Sequence, residues 1–140
     1  MTLKLWATHK MNINENTSKA ILRIGLSLVF LYFGIQQVLH TSQWTGFVPE
    51  FATKFFLSAG NIIMLNATLE IVLGVFLIAG IYTRASALIL SIHLFMIALS
   101  IGFVPIGVRD FGLSIATFVI FLNGADKFCF DKRQNKVEFW

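Results

Sequence analysis

Glu70 is the only residue with a formal charge between Phe55 and Thr83, in a stretch that otherwise reads as membrane-spanning. A charged carboxyl at bilayer depth costs roughly 2.5–3.5 kcal/mol on insertion scales. Such a residue usually faces a bundle interior, has a partner, and often marks a proton, ion or ligand site. Helical spacing supplies candidates for its surroundings. Asn66, Glu70 and Gly74 recur at i, i+4, i+8 and share one face. Arg23, Ser27, Gly34 and Gln37 form a stripe on an earlier segment, and Ser86, His93 and Ser100 are spaced by seven on a later one. Asp110, Ser114, Thr117 and Gly124 align on the last. Membrane bundles place small and polar residues at helix contacts, where backbones approach and hydrogen bonds stay out of lipid.

A rise of ~1.5 Å per residue puts Glu70 and His93 within roughly 6 Å of each other in depth. A carboxyl–imidazole pair near the midplane would serve as a proton relay or as mutual neutralisation. Gln37 and Asn66 would sit above Glu70. These residues, with Arg84 and Asp110, are the candidate site: Glu70 and His93 for proton exchange, and Gln37, Asn66, Arg84 and Asp110 for holding a ligand. The bland alternative stays open, with Glu70 protonated and merely hydrogen-bonded across helices, His93 a satisfied interior histidine, and Asp110 pinned by Arg109.

Other chemistries are excluded. Bis-histidine haem ligation needs two histidines facing each other at one depth. His40 lies at the outer edge, His93 is deep, and His9 precedes the bundle. Glu70 and His93 alone are too few ligands for a metal. Cys129 is the one cysteine, so neither an internal disulfide nor a dithiol redox pair can form. No phosphate-binding glycine loop or serine-hydrolase motif occurs. The formal charge of +4 flanks apolar segments rather than forming a stripe, which argues against nucleic acid.

The elements that must position these residues are membrane helices. The chain is 56% hydrophobic and 13% charged, against about 25% charged for a soluble domain. Four segments can supply the roughly 20 apolar residues that a spanning helix needs. The first lies within Ile24–Pro49 and ends near Leu39, the second runs from about Asn61 to Tyr82, the third lies within Ala85–Val108, and the fourth covers roughly Asp110 to Phe128. The connection at Tyr82-Thr83-Arg84-Ala85 is short enough to make an antiparallel hairpin. The expected fold is an all-α, integral membrane, four-helix up-down bundle with both termini on one side. Lys4, Lys10, Lys19, Arg23, Arg84, Lys127, Lys132, Arg133 and Lys136 fall on that side, against Lys54 and Arg109 on the other. Nine against two places both termini in the cytoplasm, with the bundle in the inner (plasma) membrane. The polar residues Asn12, Asn14, Glu15, Asn16 and Thr17 leave no apolar core for a cleavable signal peptide.

Residues 40–60 are the longest connection. Phe47, Phe51 and Phe55 recur at i, i+4, i+8, with Pro49 near a helix start. This spacing predicts a short amphipathic helix at the outer interface, acting as a lid or as an aromatic anchor. The domain organisation expected is a cytoplasmic segment over 1–19, the bundle over 20–131, and a polar cytoplasmic tail over 132–140.

In order along the chain come Arg23-x-Gly25, Phe33-Gly34, Phe47-x-Pro49, Glu70 four before Gly74, Gly80-x-x-Thr83-Arg84 and Arg109-Asp110-x-Gly112-Leu113. This series resembles the DoxX family of small bacterial and archaeal membrane proteins, over about residues 20–131. The resemblance implies four membrane helices. It implies kinship with subunits of a thiosulfate:quinone oxidoreductase and a component of a membrane-associated oxidoreductase complex, and more distantly with eukaryotic surfeit-locus cargo receptors. Most members have no assigned activity. Many carry a lysine where this chain has Gln37, so a Lys–Glu ion pair with Glu70 is unavailable here.

The expected function is that of a quinone-linked or partner-dependent subunit of a membrane oxidoreductase system. The sequence offers no metal, flavin, haem or dithiol, so electrons must come from a partner subunit or the substrate. The partners expected are the lipid membrane, an oxidoreductase subunit and, as a further option, a second copy of the chain. A small-solute or lipid transporter and a non-catalytic membrane scaffold are the alternatives.

Overall fold

The computed structural model describes residues 15–55 and 57–134. Expectations for Lys4, His9, Lys10 and Lys136 lie outside the described residues. Helices α1 (Glu15–Leu39), α2 (Thr41–Trp44), α3 (Glu50–Phe55), α4 (Ala59–Ala79), α5 (Thr83–Ile101), α6 (Pro105–Asn123) and α7 (Phe130–Gln134) follow in order, with a 3₁₀ turn at Thr45–Phe47. Helices α1, α4, α5 and α6 are long and apolar enough to cross a membrane. The 21 residues of α4 make about 31 Å of helix, matching a hydrocarbon core of about 30 Å. The protein is an all-α, multi-pass integral membrane protein.

The polarity is inverted relative to a soluble bundle. Ile21, Leu28, Tyr32, Ile35, Val72, Ile92 and Leu122 point outward, while Arg23, Ser27, Gln37, Glu70, Ser86, Asp110, Ser114 and Thr117 are buried. The buried hydroxyls use backbone carbonyls as acceptors: Ser27 donates to Arg23, Ser114 to Phe111, Thr117 to Leu113, and Ser91 across helices to Ser114. These four hydroxyls are thereby satisfied in a low-dielectric interior, while the buried Thr83 Oγ1 finds no hydrogen-bond partner among the described residues. An apolar cluster of Leu26, Phe30, Leu77, Leu90, Leu94 and Ile120 fills the middle.

Packing is uneven. Helix α1 lies tightly on α4, and α5 on α6, while the two pairs touch each other far less. Glycines set the first pairing. A Cβ at Gly34 would lie 2.7 Å from Ile71 Cγ1 and 3.1 Å from the Ala67 carbonyl oxygen, so only glycine admits this approach. Gly74 answers it beneath Leu31 and Phe30.

One end of the bundle is strapped shut. Helix α4 stops at Gly80 in the left-handed region (φ 71°), with Gly80 N–H donating to Leu77 O and Ile81 N–H to Phe76 O. Three residues later, at Thr83, α5 begins. Tyr82 and Thr83 N–H both donate to the Asp131 carboxylate at 2.8 Å, so α7 caps the start of α5. Arg23 Nε donates to Asp126 Oδ2 at 2.8 Å, and its Nη1 to the carbonyls of Leu77 and Ile78 at 2.6 and 2.9 Å. One guanidinium thus joins α1, the carboxy-terminal end of α4 and the segment after α6. Asp126 and Cys129 are fully enclosed there.

The helix limits differ from those expected at charged residues. Helix α1 begins at Glu15 rather than near Ile24, because Lys19 pairs with Glu15 at 2.6 Å and Arg23 is neutralised inside the bundle. Helix α6 begins at Pro105, before Arg109 and Asp110, because Gly102 (φ 81°) ends α5 and Pro105 opens the next helix. Charges that are paired do not stop a membrane helix. The connection is not one amphipathic helix over Phe47–Phe55. Pro49 drives Val48 into extended backbone (ψ 122°), which splits the segment into the 3₁₀ turn and α3. The carboxy-terminal segment is also not all tail, since α7 runs through residue 134.

Candidate functional site

At the end opposite the strap, the two helix pairs enclose a cavity of about 550 Å³. Its walls are mostly apolar, from Phe30, Phe33, Leu69, Leu94, Ile97 and Leu113, and its polar groups are few. Trp44, Phe47 and Phe51 of the connection cover it. Phe33 packs edge-on against Trp44 at 6.0 Å, and Trp44 meets Phe47 at 6.1 Å, so the cover is held by aromatic contacts to α1.

Five of the six residues singled out from the sequence line this cavity: Gln37, Asn66, Glu70, His93 and Asp110. Three of them form a closed network. Gln37 Nε2 donates to Glu70 Oε2 at 3.1 Å, and Asn66 Nδ2 donates to Glu70 Oε1 at 3.2 Å and to Gln37 Oε1 at 2.6 Å. The i, i+4 spacing on α4 stacks Asn66 over Glu70. Gly34, one turn from Gln37, gives α1 the close approach that brings the amide to the carboxyl. Each Glu70 oxygen accepts one of these bonds, so it retains capacity for a further partner.

His93 is not that partner. Glu70 binds Gln37 and Asn66, while His93 Nε2 is buried with no hydrogen-bond partner among the described residues. The carboxyl–imidazole pair expected from depth alone is therefore replaced by two separate polar groups lining one cavity. Depth estimates fix height along a helix but not rotation about it.

Arg84 lies elsewhere. It sits one residue into α5, at the strapped end, where a Cβ on Gly124 would come within 2.7 Å of its Nε. The structure does not bring it to the other five. Arg109 takes a place there that sequence reasoning did not give it. Its Nε donates to Asp110 Oδ1 at 2.9 Å, and its guanidinium lies 4.2 Å from the centre of the Phe33 ring, bridging α6 to α1 at the cavity wall. The adjacent Arg-Asp in the sequence was the available signal, but nothing in it pointed to Phe33. Among the described residues no three His, Cys, Asp or Glu side chains gather to hold a metal ion.

The arrangement can accept an apolar body of modest size and offer it polar groups from the middle of α4 and from α5, which is the usual form of a small-molecule site. Fold and site together define a four-helix integral membrane protein with a roofed, polar-floored cavity between its helix pairs. The DoxX family profile matches residues 18–102, more than half of the chain, and the protein belongs to that family. The match ends at Gly102, so the Arg109-Asp110 motif on α6 lies beyond it. No curated protein and no solved structure matches the chain.

Proposed function

We propose that the cavity binds a quinone head group and that the protein acts as the quinone-linked subunit of a membrane oxidoreductase system. The observation carrying this reading is a pair of unlike polar residues lining one apolar cavity: Glu70, its carboxyl held by two amides, and His93. A quinone presents an apolar ring with an oxygen at each end. Reducing it to the quinol adds two electrons and two protons. Glu70 and His93 are placed on separate helices to pass protons to the two oxygens, with Gln37 and Asn66 orienting the nearer one. The electrons come from a partner subunit carrying a flavin or an iron–sulfur centre. Both termini face the cytoplasm across the plasma membrane, on the positive-inside count, so the cavity lies toward the outer leaflet.

The test is extraction from native membranes in mild detergent, with mass spectrometry of bound proteins and quinone. Stoichiometric quinone or a cofactor-bearing oxidoreductase is expected. Glu70→Gln keeps the shape of the amide network and removes the titrating group, so the protein folds while quinone reduction by the assembled complex falls by at least about a hundredfold, the lower range for general acid catalysis. A bare protein, or unchanged turnover in Glu70→Gln, would turn the assignment toward solute transport or scaffolding.

A further inference from the structure

The cavity is partly open, and its walls differ in how they are closed. Trp44, Phe47 and Phe51 cover the top. Between α1 and α6 the Phe33–Arg109 stack bridges the wall at 4.2 Å. Between α4 and α5 no ring or ion pair spans the gap among the described residues; these helices, like α1 and α6, pack together much less than α1 on α4 or α5 on α6, and of the two loose seams only α1–α6 is bridged. Two residues line the cavity and are also exposed at this gap: Leu65 of α4 at 61% and Met96 of α5 at 57%.

Their heights agree. Leu65 lies six residues from the Ala59 end of α4, and Met96 five residues from the Ile101 end of α5. At ~1.5 Å per residue both stand about 8–9 Å inside the helix ends. With a hydrocarbon core of about 30 Å, that is below the headgroups and among the acyl chains. At this height the rim is Leu65 and Met96, and Ser100, one turn nearer the end of α5, turns its hydroxyl to the Met96 carbonyl, which suits passage of an alkyl chain and opposes passage of a hydrated solute.

We infer that the gap between α4 and α5 is a lateral portal through which the site is loaded from the bilayer, and that the ligand is a quinone with a prenyl tail. The head group sits at Glu70 and the tail leaves past Leu65 and Met96 into lipid. This rests on the cavity being the quinone site.

The experiment uses the full chain in lipid nanodiscs, with Trp6→Phe and Trp140→Phe leaving Trp44 as the fluorescent reporter in the cavity roof. Quenching is titrated with two quinones of one head group, one tail-less and one carrying a short polyprenyl tail. Leu65→Phe and Met96→Phe narrow the rim with a ring and add no second indole. Each is expected to weaken the tailed quinone relative to the tail-less one by at least about tenfold, or roughly 1.4 kcal/mol. Val72→Phe, at an exposed α4 position away from the cavity, should leave that ratio where it is. An unchanged ratio in both rim variants, or equal loss of both quinones, overturns the portal while leaving the quinone site standing. If neither quinone quenches Trp44 in the unsubstituted rim, the quinone site falls and the portal falls with it.

Discussion

Removing the Asp126 carboxylate tests whether the strapped end holds the bundle together. Arg23 and Asp126 are 2% and 1% exposed, so Asp126→Ala leaves a guanidinium unpaired in a place water does not reach. Breaking one side of a buried ion pair costs about 3–5 kcal/mol. Arg23 keeps its bonds to the Leu77 and Ile78 carbonyls, at the negative end of α4, and a cation there retains up to ~2 kcal/mol. The expected loss is therefore about 3 kcal/mol, at the low end of the range. At about 3 °C per kcal/mol for a chain of this size, Tm falls by roughly 9 °C. Asp126→Asn keeps an acceptor for Arg23 and Phe128 N–H and should lose about half as much. Cys129, the single thiol, is 0% exposed beside this pair, and burial pushes its pKa up. A maleimide dye that fluoresces on thiol addition therefore reads opening of the strap, while circular dichroism reads the helices. The two transitions should fall together. A Tm within about 3 °C of the parent for Asp126→Ala, equivalent to ~1 kcal/mol, would refute the reasoning. So would an Arg23→Met/Asp126→Leu double variant less stable than Asp126→Ala, because removing both charges should relieve the stranded guanidinium.

The same group sets a pH dependence. Burial alone would raise the Asp126 carboxyl, but the Arg23 hydrogen bond, the Phe128 N–H and the Arg23 charge hold it below its ordinary 3.8. A carboxyl lowered by folding stabilises the fold above its ordinary value, and that contribution is lost as pH falls through the lower folded value. The Tm gap between the parent and Asp126→Asn should therefore be constant from neutrality to roughly pH 4 and close below it, as followed by circular dichroism. Gly34→Ala forces Ile71 and the Ala67 carbonyl away from α1. It should cost about 1–3 kcal/mol in thermal unfolding and weaken quinone quenching of Trp44 by separating Gln37 from Glu70. Gly80→Ala meets both a left-handed φ of 71° and the Cys129 backbone at 2.5 Å, so it should cost more than the ~1–2 kcal/mol of the backbone conformation alone. Gly112→Ala, with nothing within 4 Å, should be neutral or stabilising by up to about 1 kcal/mol.

Periodicity in the sequence carried the architecture because a membrane helix advertises its inner face. Arg23, Ser27, Gly34 and Gln37 are all buried on α1, as are Asp110, Ser114, Thr117 and Gly124 at the last helix. The pattern failed on α5. A spacing of seven drifts about 20° per step around an ideal helix, so Ser86 is buried, His93 is half-buried and Ser100 is exposed at the cavity rim. Ser91 was not read as interior, yet it is buried and donates to Ser114 O. Pairings between distant segments were also illegible. Arg23 and Asp126 are 103 residues apart, and no local pattern links a guanidinium on the first helix to a carboxylate after the last. Nor does one announce that Asp131 caps α5. Both depend on the bundle closing before the partners meet.

The buried acids separate by what surrounds them. Protonating Asp126 strands Arg23 in a dry interior, so that carboxyl is committed to structure. Asp110 is bound to Arg109, whose side chain is 36% exposed and is held in turn by Phe33, so its charge state is coupled to the cavity wall. Glu70 is held by two neutral amides. A proton can join or leave it without orphaning a buried cation, and each amide keeps a partner in either state. A carboxyl arranged this way can turn over protons at little cost to the fold. Glu70→Gln should therefore change Tm by no more than about 3 °C, or ~1 kcal/mol, while abolishing proton-coupled activity. A Glu70→Gln variant as damaged as Asp126→Ala would make Glu70 a structural residue and leave the cavity without its proton donor.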